Sequence, residues 1–387
     1  MKQLSMSRAL VVLTVGALTF VSGCGADTPK PGASDASTTA QTSAPADAKA
    51  LPEVNSDYSW PTAQVPENYY PVTVKSCGKD VTFDKAPERA VVNDDNMIEL
   101  MFALGLTDHM AAYSAAAPRL RLAAFKDDYE SVKSMGPDYF KLEPTLAQNP
   151  DFVFSGWNYG FSPEDINPDS LAELGIKSYA LNESCRRINS DKTPATLEEW
   201  YGDVRNISTI FGVPERGEAL IKSWEKRLAA VKDALPKDNT PVPAFNYGFG
   251  QDAPGGGLGL TIVSDTFARA GAKNVFADLP EMWGTVSWAA FVKAAPELIV
   301  VTDYGAAGDG QTGAAKIKFL EDQEGVSTVP AIKNKNFLVL PQEAVNPGIR
   351  VVDGVEEMAA HLYPEEFAER AKQPGFGFSE TYDATTS

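Results

Sequence analysis

Two histidines, three cysteines and a set of arginines and aromatic residues at the ends of short apolar runs carry whatever chemistry this chain performs. His109 and His361 are too few for a protein-built multi-histidine zinc centre. The chain has no G-x-S-x-G, no H-E-x-x-H and no G-x-x-x-x-G-K-[ST], so the nucleophile, zinc and phosphate-cradle signatures of a hydrolase are missing. Gly255-Gly256-Gly257-Leu258-Gly259 lacks the lysine that should follow, and reads as a turn leading into a helix. Carboxylate pairs say little in a chain with 52 acids. What is left is binding chemistry. Arg119, Arg121, Arg186, Arg187 and Arg350 offer guanidinium donors to anionic oxygens. Trp157, Tyr159, Tyr247, Trp283 and Tyr304 offer flat faces with polar tips, and Gln251 an amide.

Most of these residues follow apolar runs that read as buried strands: Ala90 to Asn93, Met110 to Tyr113, Asp151 to Ser155, Lys177 to Leu181, Ala244 to Tyr247, Leu298 to Thr302 and Phe337 to Leu340. The intervening segments are long enough for crossover helices, so the fold class is α/β with mainly parallel sheets. Between Thr196 and about Leu235 the pattern changes. Leu197, Trp200, Val204, Ile207 and Ile210, then Leu220, Trp224, Leu228 and Val231, recur at helical spacing, with a break at Gly212 and Pro214. The material on either side echoes itself. Glu143 to Ser155 aligns without gaps on Ala289 to Val301, and Glu99 to Leu106 on Asp265 to Ala272. The expected organisation is a leader (1–23), a flexible tether (24–60), an N-terminal α/β lobe (61–195), a helical connector (196–236), a C-terminal α/β lobe (237–374) and a loose tail (375–387). Two similar lobes on a rigid helical connector follow, a single large α/β domain being the alternative.

At the amino terminus, Lys2 and Arg8 precede an apolar stretch from Ala9 to Val21, too short for a permanent membrane span of roughly 20 residues. Val21-Ser22-Gly23-Cys24 resembles the lipobox of bacterial lipoproteins, which implies a lipid on the Cys24 sulfur and a place on the outer face of the cytoplasmic membrane. An ordinary signal peptide with an incidental cysteine is the alternative. Gly25 to Asp57 is rich in Ala, Ser, Thr, Pro and Asp, and as a coil would reach roughly 30 to 35 Å. Removing residues 1–23 takes Lys2 and Arg8 and no acid, leaving 32 Lys and Arg against 52 Asp and Glu, a net charge of -20. Nucleic acid and anionic lipid surfaces are therefore disfavoured partners. With Cys24 lipidated, Cys77 and Cys185 form an even pair in a disulfide-permissive compartment, and a bridge between them would close a loop of about 108 residues. Two buried free thiols are the alternative.

Several separate stretches then fall in a telling order. Cys77-Gly78 precedes Val81-Thr82-Phe83-Asp84-Lys85-Ala86-Pro87-Glu88-Arg89; Glu183-Ser184-Cys185, Gly271 to Asp278, Trp283 with Thr285-Val286-Ser287-Trp288, Ile299 to Gly305 and Pro347-Gly348-Ile349-Arg350 follow. Together they resemble the substrate-binding lipoproteins of ABC importers for ferric siderophores, haem and cobalamin, with actinobacterial siderophore-binding members the nearest, over about Val72 to Tyr363. The resemblance implies a ligand in the cleft between the lobes, where open α/β sheets also place theirs, outside the carboxyl ends of the strands. The candidate ligand residues are Arg119, Arg121, Trp157, Tyr159, Arg186, Arg187, Tyr247, Gln251, Trp283, Tyr304 and Arg350, with Asp94, Asn96, Asn158 and Phe249 among their neighbours. Five arginines on so acidic a chain point to an anionic ligand.

The same resemblance implies a monomeric, non-enzymatic receptor that hands an iron-siderophore or similar metal chelate to an ABC permease dimer driven by a cytoplasmic ATPase. It needs no cofactor, since iron belongs to the cargo. Docking would use an exposed carboxylate on each lobe. Glu143, seven residues before Pro150, holds the first position; the matching position before Pro296 is Ala289, so either Glu281 or Glu297 substitutes or the chain couples asymmetrically to its transporter. Haem or cobalamin binding within the same importer class, a lipid-anchored exported hydrolase, and an adhesion or sensory module are the alternatives. For haem, neither His109 nor His361 has an evident reason to reach the cleft.

Overall fold

All seven expected strands form, and the central ones, such as β3, β6 and β13, are continuously apolar because parallel strands covered on both faces must be apolar on both. The computed structural model describes residues 51–115, 120–238, 240–305, 312–372 and 381–383. The leader, Cys24, the tether up to residue 50, Arg119 and most of the tail lie outside the described residues. The first lobe runs β1 (Val72–Ser76), β2 (Lys79–Phe83), β3 (Ala90–Asn93), α1 (Asp95–Ala103), β4 (Met110–Ser114), β5 (Leu120–Leu122), α2 (Lys126–Ser131), α3 (Leu142–Leu146), β6 (Phe152–Trp157), β7 (Gly160–Phe161), α4 (Pro168–Glu173) and β8 (Lys177–Ala180), then a 3-10 segment, Asn182–Arg187. The connector is α5 (Leu197–Ile210) and α6 (Pro214–Ala234). The second lobe runs β9 (Val242–Tyr247), β10 (Gly255–Gly257), α7 (Val263–Arg269), β11 (Ala272–Asn274), β12 (Trp283–Thr285), α8 (Trp288–Ala294), β13 (Leu298–Asp303), α9 (Gly313–Asp322), α10 (Pro330–Lys333) and β14 (Phe337–Pro341). It is followed by α11 (Val351–Leu362), α12 (Pro364–Phe367) and β15 (Thr381–Asp383).

Each lobe has a parallel sheet, with β3 between β4 and β6 and β8 beyond β6 in the first, and the order β11-β9-β13-β14 in the second. Alternation along the strands assigns each face to a different core. Ala90, Val92, Phe152 and Phe154 join Leu298 and Val300 of the second lobe and the connector residues Leu197, Trp200, Val204 and Trp224 in one continuous cluster. Val91 and Val153 face a smaller cluster on the far side of the first sheet, and Ile299 and Val301 one on the far side of the second. The shared cluster makes the connector a spine. Its break falls where expected: Gly212 takes φ +72 after α5, and Pro214 starts α6.

Cys77 and Cys185 are bridged, with Cα atoms 5.3 Å apart. Cys77 and Gly78, at φ +47 and +81, form the two-residue turn of the β1–β2 hairpin, a conformation with both central residues at positive φ. The bridge ties that turn to the 3-10 segment after β8.

Three expectations need correction. The tether does not extend to residue 60, because Val54, Tyr58 and Trp60 pack on the main core and the Trp60 indole N–H donates to the Ala103 carbonyl at 2.8 Å. The tail is not loose throughout, since Thr381–Asp383 pairs antiparallel with β5 in a two-stranded sheet. The Gly255–Gly257 run is a strand rather than a turn. It lies so close to β9 that a Cβ at Gly256 would stand 1.8 Å from the Asn246 carbonyl oxygen.

Candidate functional site

The carboxyl ends of both sheets face a cleft of about 280 Å³ between the lobes. From the first lobe it is lined by Asp94 and Asn96 after β3, Tyr139, Asn158 and Tyr159 after β6, and Leu181, Glu183 and Arg187 after β8. From the second come Phe249, Trp283, Tyr304, Gln342, Asn346 and Pro347. Asp94 and Asn158 hold positive φ (+70 and +65), a conformation that Asp and Asn adopt more readily than bulkier residues. Asp94 also caps α1, accepting from the Asp95 N–H at 3.0 Å.

The floor of the cleft is stitched across the lobes. Asn96 Nδ2 donates to the Pro347 carbonyl at 2.7 Å, the Ile262 N–H to Glu183 Oε1 at 2.7 Å, and the Ala195 N–H to the Leu260 carbonyl at 3.2 Å. Burial pushes the Glu183 carboxyl up to about 7, against the opposing pull of that backbone N–H and of Arg186 and Arg187. Burial, then the charges of Glu183 and Asp94, raise the Tyr159 phenol well above its usual range. Beneath Tyr304, the Lys316 ammonium sits 4.0 Å from the ring centroid and donates to the Thr302 carbonyl at 2.6 Å. Burial lowers that lysine to about 8.

Among the ligand candidates, Tyr159, Arg187, Trp283 and Tyr304 line this cleft. Arg187 is the cationic residue lining it among the described residues, and its buried Nε has no hydrogen-bond partner. The others are placed differently. Arg350 is 1 % exposed and holds Glu99 through two hydrogen bonds, with Glu343 at 3.9 Å, so it is a core ion pair between the lobes. Arg121 is buried on Asp95 at 3.2 Å and stacks 4.0 Å over the Tyr129 ring. Arg186 donates to the Thr193 carbonyl at 2.6 Å and pairs with Glu199 at 2.9 Å beside the disulfide. Trp157 is core, packed near Phe161, and Tyr247 is buried with its hydroxyl donated to the Gly250 carbonyl. Gln251 is exposed away from the cleft lining. Arg121, Arg186 and Arg350 were absorbed by acids that sequence spacing does not reveal. The inference of an anionic ligand from five arginines therefore fails, because Asp94 and Glu183 line the same cleft.

Glu183 is the residue sequence reasoning passed over. It lies two residues beyond the strand ending at Leu181, so the rule that selected Arg186 and Arg187 applies to it equally. Tyr139 had no such signal. Neither histidine reaches the site: His109 bonds the Pro87 carbonyl and packs on Phe211, while His361 bonds Asn336.

A family profile described as periplasmic binding protein matches residues 91–344, most of both lobes and the whole connector. The chain belongs to the periplasmic binding protein family. It is 24% identical over 313 residues to an uncharacterised ABC transporter substrate-binding lipoprotein, YvrC, of Bacillus subtilis, covering 78% of this chain and 88% of that one. A vitamin B12-binding protein of Photorhabdus laumondii is 26% identical over 220 residues, 56% of this chain and 71% of its own. In fold, the chain matches an ABC-type Fe3+-hydroxamate transport protein of Saccharomonospora viridis with a TM-score of 0.65 at 23% identity, over 76% of this chain and 99% of the other. Within this family member the repeated halves coincide in structure: Glu143 and Ala289 are each the second residue of a short helix, α3 or α8, that leads into the central strand β6 or β13. Both are exposed.

Proposed function

We propose that this protein is the extracytoplasmic receptor of an ABC importer, lipid-anchored through Cys24, and that its cargo is an iron-siderophore complex. The observation that carries the reading is the interlobe cleft itself. Phe249, Trp283 and Tyr304 on one lobe face Tyr159 and the guanidinium of Arg187 on the other, aromatic faces for the organic part of a chelate and a donor for its oxygens. A chelator satisfies iron with its own oxygens, so no protein ligand set is required. The curated relatives are binding proteins by name, which supports a carrier over the hydrolase. Glu143, exposed on α3, is the proposed contact to the permease on the first lobe, with Glu281 or Glu297, both exposed, serving the second lobe in place of Ala289.

Haem is the second reading, because Tyr159 and Tyr304 line the cleft and a phenolate can ligate haem iron. It ranks lower, since neither His109 nor His361 reaches the cleft. Titrating tryptophan fluorescence with ferric hydroxamates, ferric catecholates, ferric citrate, haem and cobalamin tests the assignment, with Trp283 in the cleft wall as reporter. Saturable quenching by ferric chelates is expected; a response to haem or cobalamin alone refutes it.

A further inference from the structure

We infer that Gly156 and Gly255 set how bulky a cargo the cleft admits, each by keeping free the place into which one aromatic ring of the cleft wall folds back; this size limit rests on the iron-chelate reading of the cleft. Both glycines are buried in strands, β6 and β10, and neither lines the cleft, so they are positioning residues that act through the rings beside them. Each is joined by an antiparallel bridge to an aromatic residue that does line it, Gly156 to Tyr159 on the first lobe and Gly255 to Phe249 on the second. Bridged residues direct their side chains to the same face, with Cβ atoms about 4.5 to 5.5 Å apart. A ring opposite a glycine is therefore able to lie over bare backbone.

Both rings do so. A Cβ on Gly156 would stand 2.0 Å from Tyr159 Cζ and 2.1 Å from the hydroxyl oxygen, and a Cβ on Gly255 would stand 2.4 Å from Phe249 Cε2. Non-bonded carbons rest about 3.5 to 4.0 Å apart, so each ring occupies the space that any other residue would fill with its own side chain. Neither glycine has a positive φ, so an alanine fits the backbone and only the space is specific. The Phe249 backbone exchanges hydrogen bonds of 3.1 and 2.8 Å with Gly255, which leaves the ring as the part that can yield. With a strand behind it, a displaced ring turns toward the cleft it already lines. The cleft holds about 280 Å³, and an inward ring would take a large share of that from a chelate with a bulky backbone while leaving room for a small one.

The test uses the full mature chain and two kinetically inert, neutral chromium(III) complexes with the same hydroxamate coordination, one of a macrocyclic tris-hydroxamate and one of separate acetohydroxamates. Gly156→Ala and Gly255→Ala should each weaken the macrocyclic complex by about tenfold, the scale of one overpacked methyl group, and the small complex by less than about threefold. Removing the ring should undo the loss. Gly156→Ala with Tyr159→Ala should bind the macrocyclic complex as Tyr159→Ala alone does, and Gly255→Ala with Phe249→Ala as Phe249→Ala alone does, a rescue that general destabilisation would not give. Where the small complex binds too weakly to titrate, loss and rescue on the macrocyclic complex decide. If one glycine variant does not fold, the other lobe decides; if neither folds, the rings have no room to yield toward the cleft and the inference is overturned. Equal losses for the two complexes, no loss, or a loss that persists after ring removal would also overturn it and leave the iron-chelate reading standing. Failure of the unaltered protein to bind either complex while haem or cobalamin saturates it would overturn both.

Discussion

Glu183 couples the cleft to pH, and the coupling can be worked out in sign and size. Its carboxyl has an ordinary value of 4.5 and is pushed up to about 7 by burial, so the folded protein holds that proton more tightly than the unfolded chain. Between pH 4.5 and 7 the folded state therefore carries the extra proton, and stability falls as pH rises. The contribution is complete below 4.5 and gone above about 7. The gap corresponds to about 3 kcal/mol. Glu183→Gln keeps an oxygen for the Ile262 N–H and removes the titration, so the variant and the parent should be equally stable near pH 4.5 and diverge above it. At pH 8 the variant should be the more stable, by about 4 °C in Tm for a folded unit of roughly 330 residues whose unfolding entropy is about 2.1 cal/mol/K per residue. Glu99 and Asp353 are buried acids that titrate over overlapping ranges, and subtracting the two curves removes them. Thermal unfolding followed by circular dichroism from pH 4.5 to 8.5 is sufficient. Superimposable curves, or a variant less stable than the parent at pH 8, would refute the reasoning.

Four further outcomes follow from the same geometry. Arg350→Met strands Glu99 in the core and should cost about 3 to 5 kcal/mol in urea unfolding, while the affinity of the folded protein for cargo stays unchanged; a selective loss of affinity would return Arg350 to the site. Arg187→Ala should weaken chelate binding by about tenfold, since Arg187 is the cationic residue lining the cleft among the described residues and offers the ligand a charge-assisted hydrogen bond; unchanged titrations would remove Arg187 from the site. Reducing Cys77–Cys185, whose closed loop spans 108 residues, should destabilise by up to about 4 to 5 kcal/mol, read as a drop of roughly 6 °C in Tm; an unchanged Tm contradicts this. Glu143→Arg should reduce cargo uptake by cells without altering Kd, and uptake at the parental rate would take Glu143 out of the permease contact.

Strand positions, the helical spine with its break at Gly212 and Pro214, and the two repeated halves are legible in the sequence because each depends on a local period or a local punctuation mark. Cysteine parity works in the same way, needing only a count and a compartment. The cleft-lining aromatics Tyr159, Trp283 and Tyr304, and with them Arg187, could be proposed because a strand end in a parallel sheet points to one edge. Which charges stay open there is not local information. Arg350 and Glu99 are 251 positions apart, Arg121 and Asp95 are 26, and only packing brings each pair together. Arg121, Arg186 and Arg350 were taken into ion pairs, while the buried Arg216 was satisfied by the carbonyls of Leu104 and Pro61. Glu183 was overlooked for the complementary reason: its role depends on the Ile262 N–H from the opposite lobe. By itself the sequence determined where the chain turns, pairs and repeats; the tertiary structure alone decided which charged side chains were satisfied inside the protein and which residues were left lining the cleft, because satisfaction depends on partners distant along the chain.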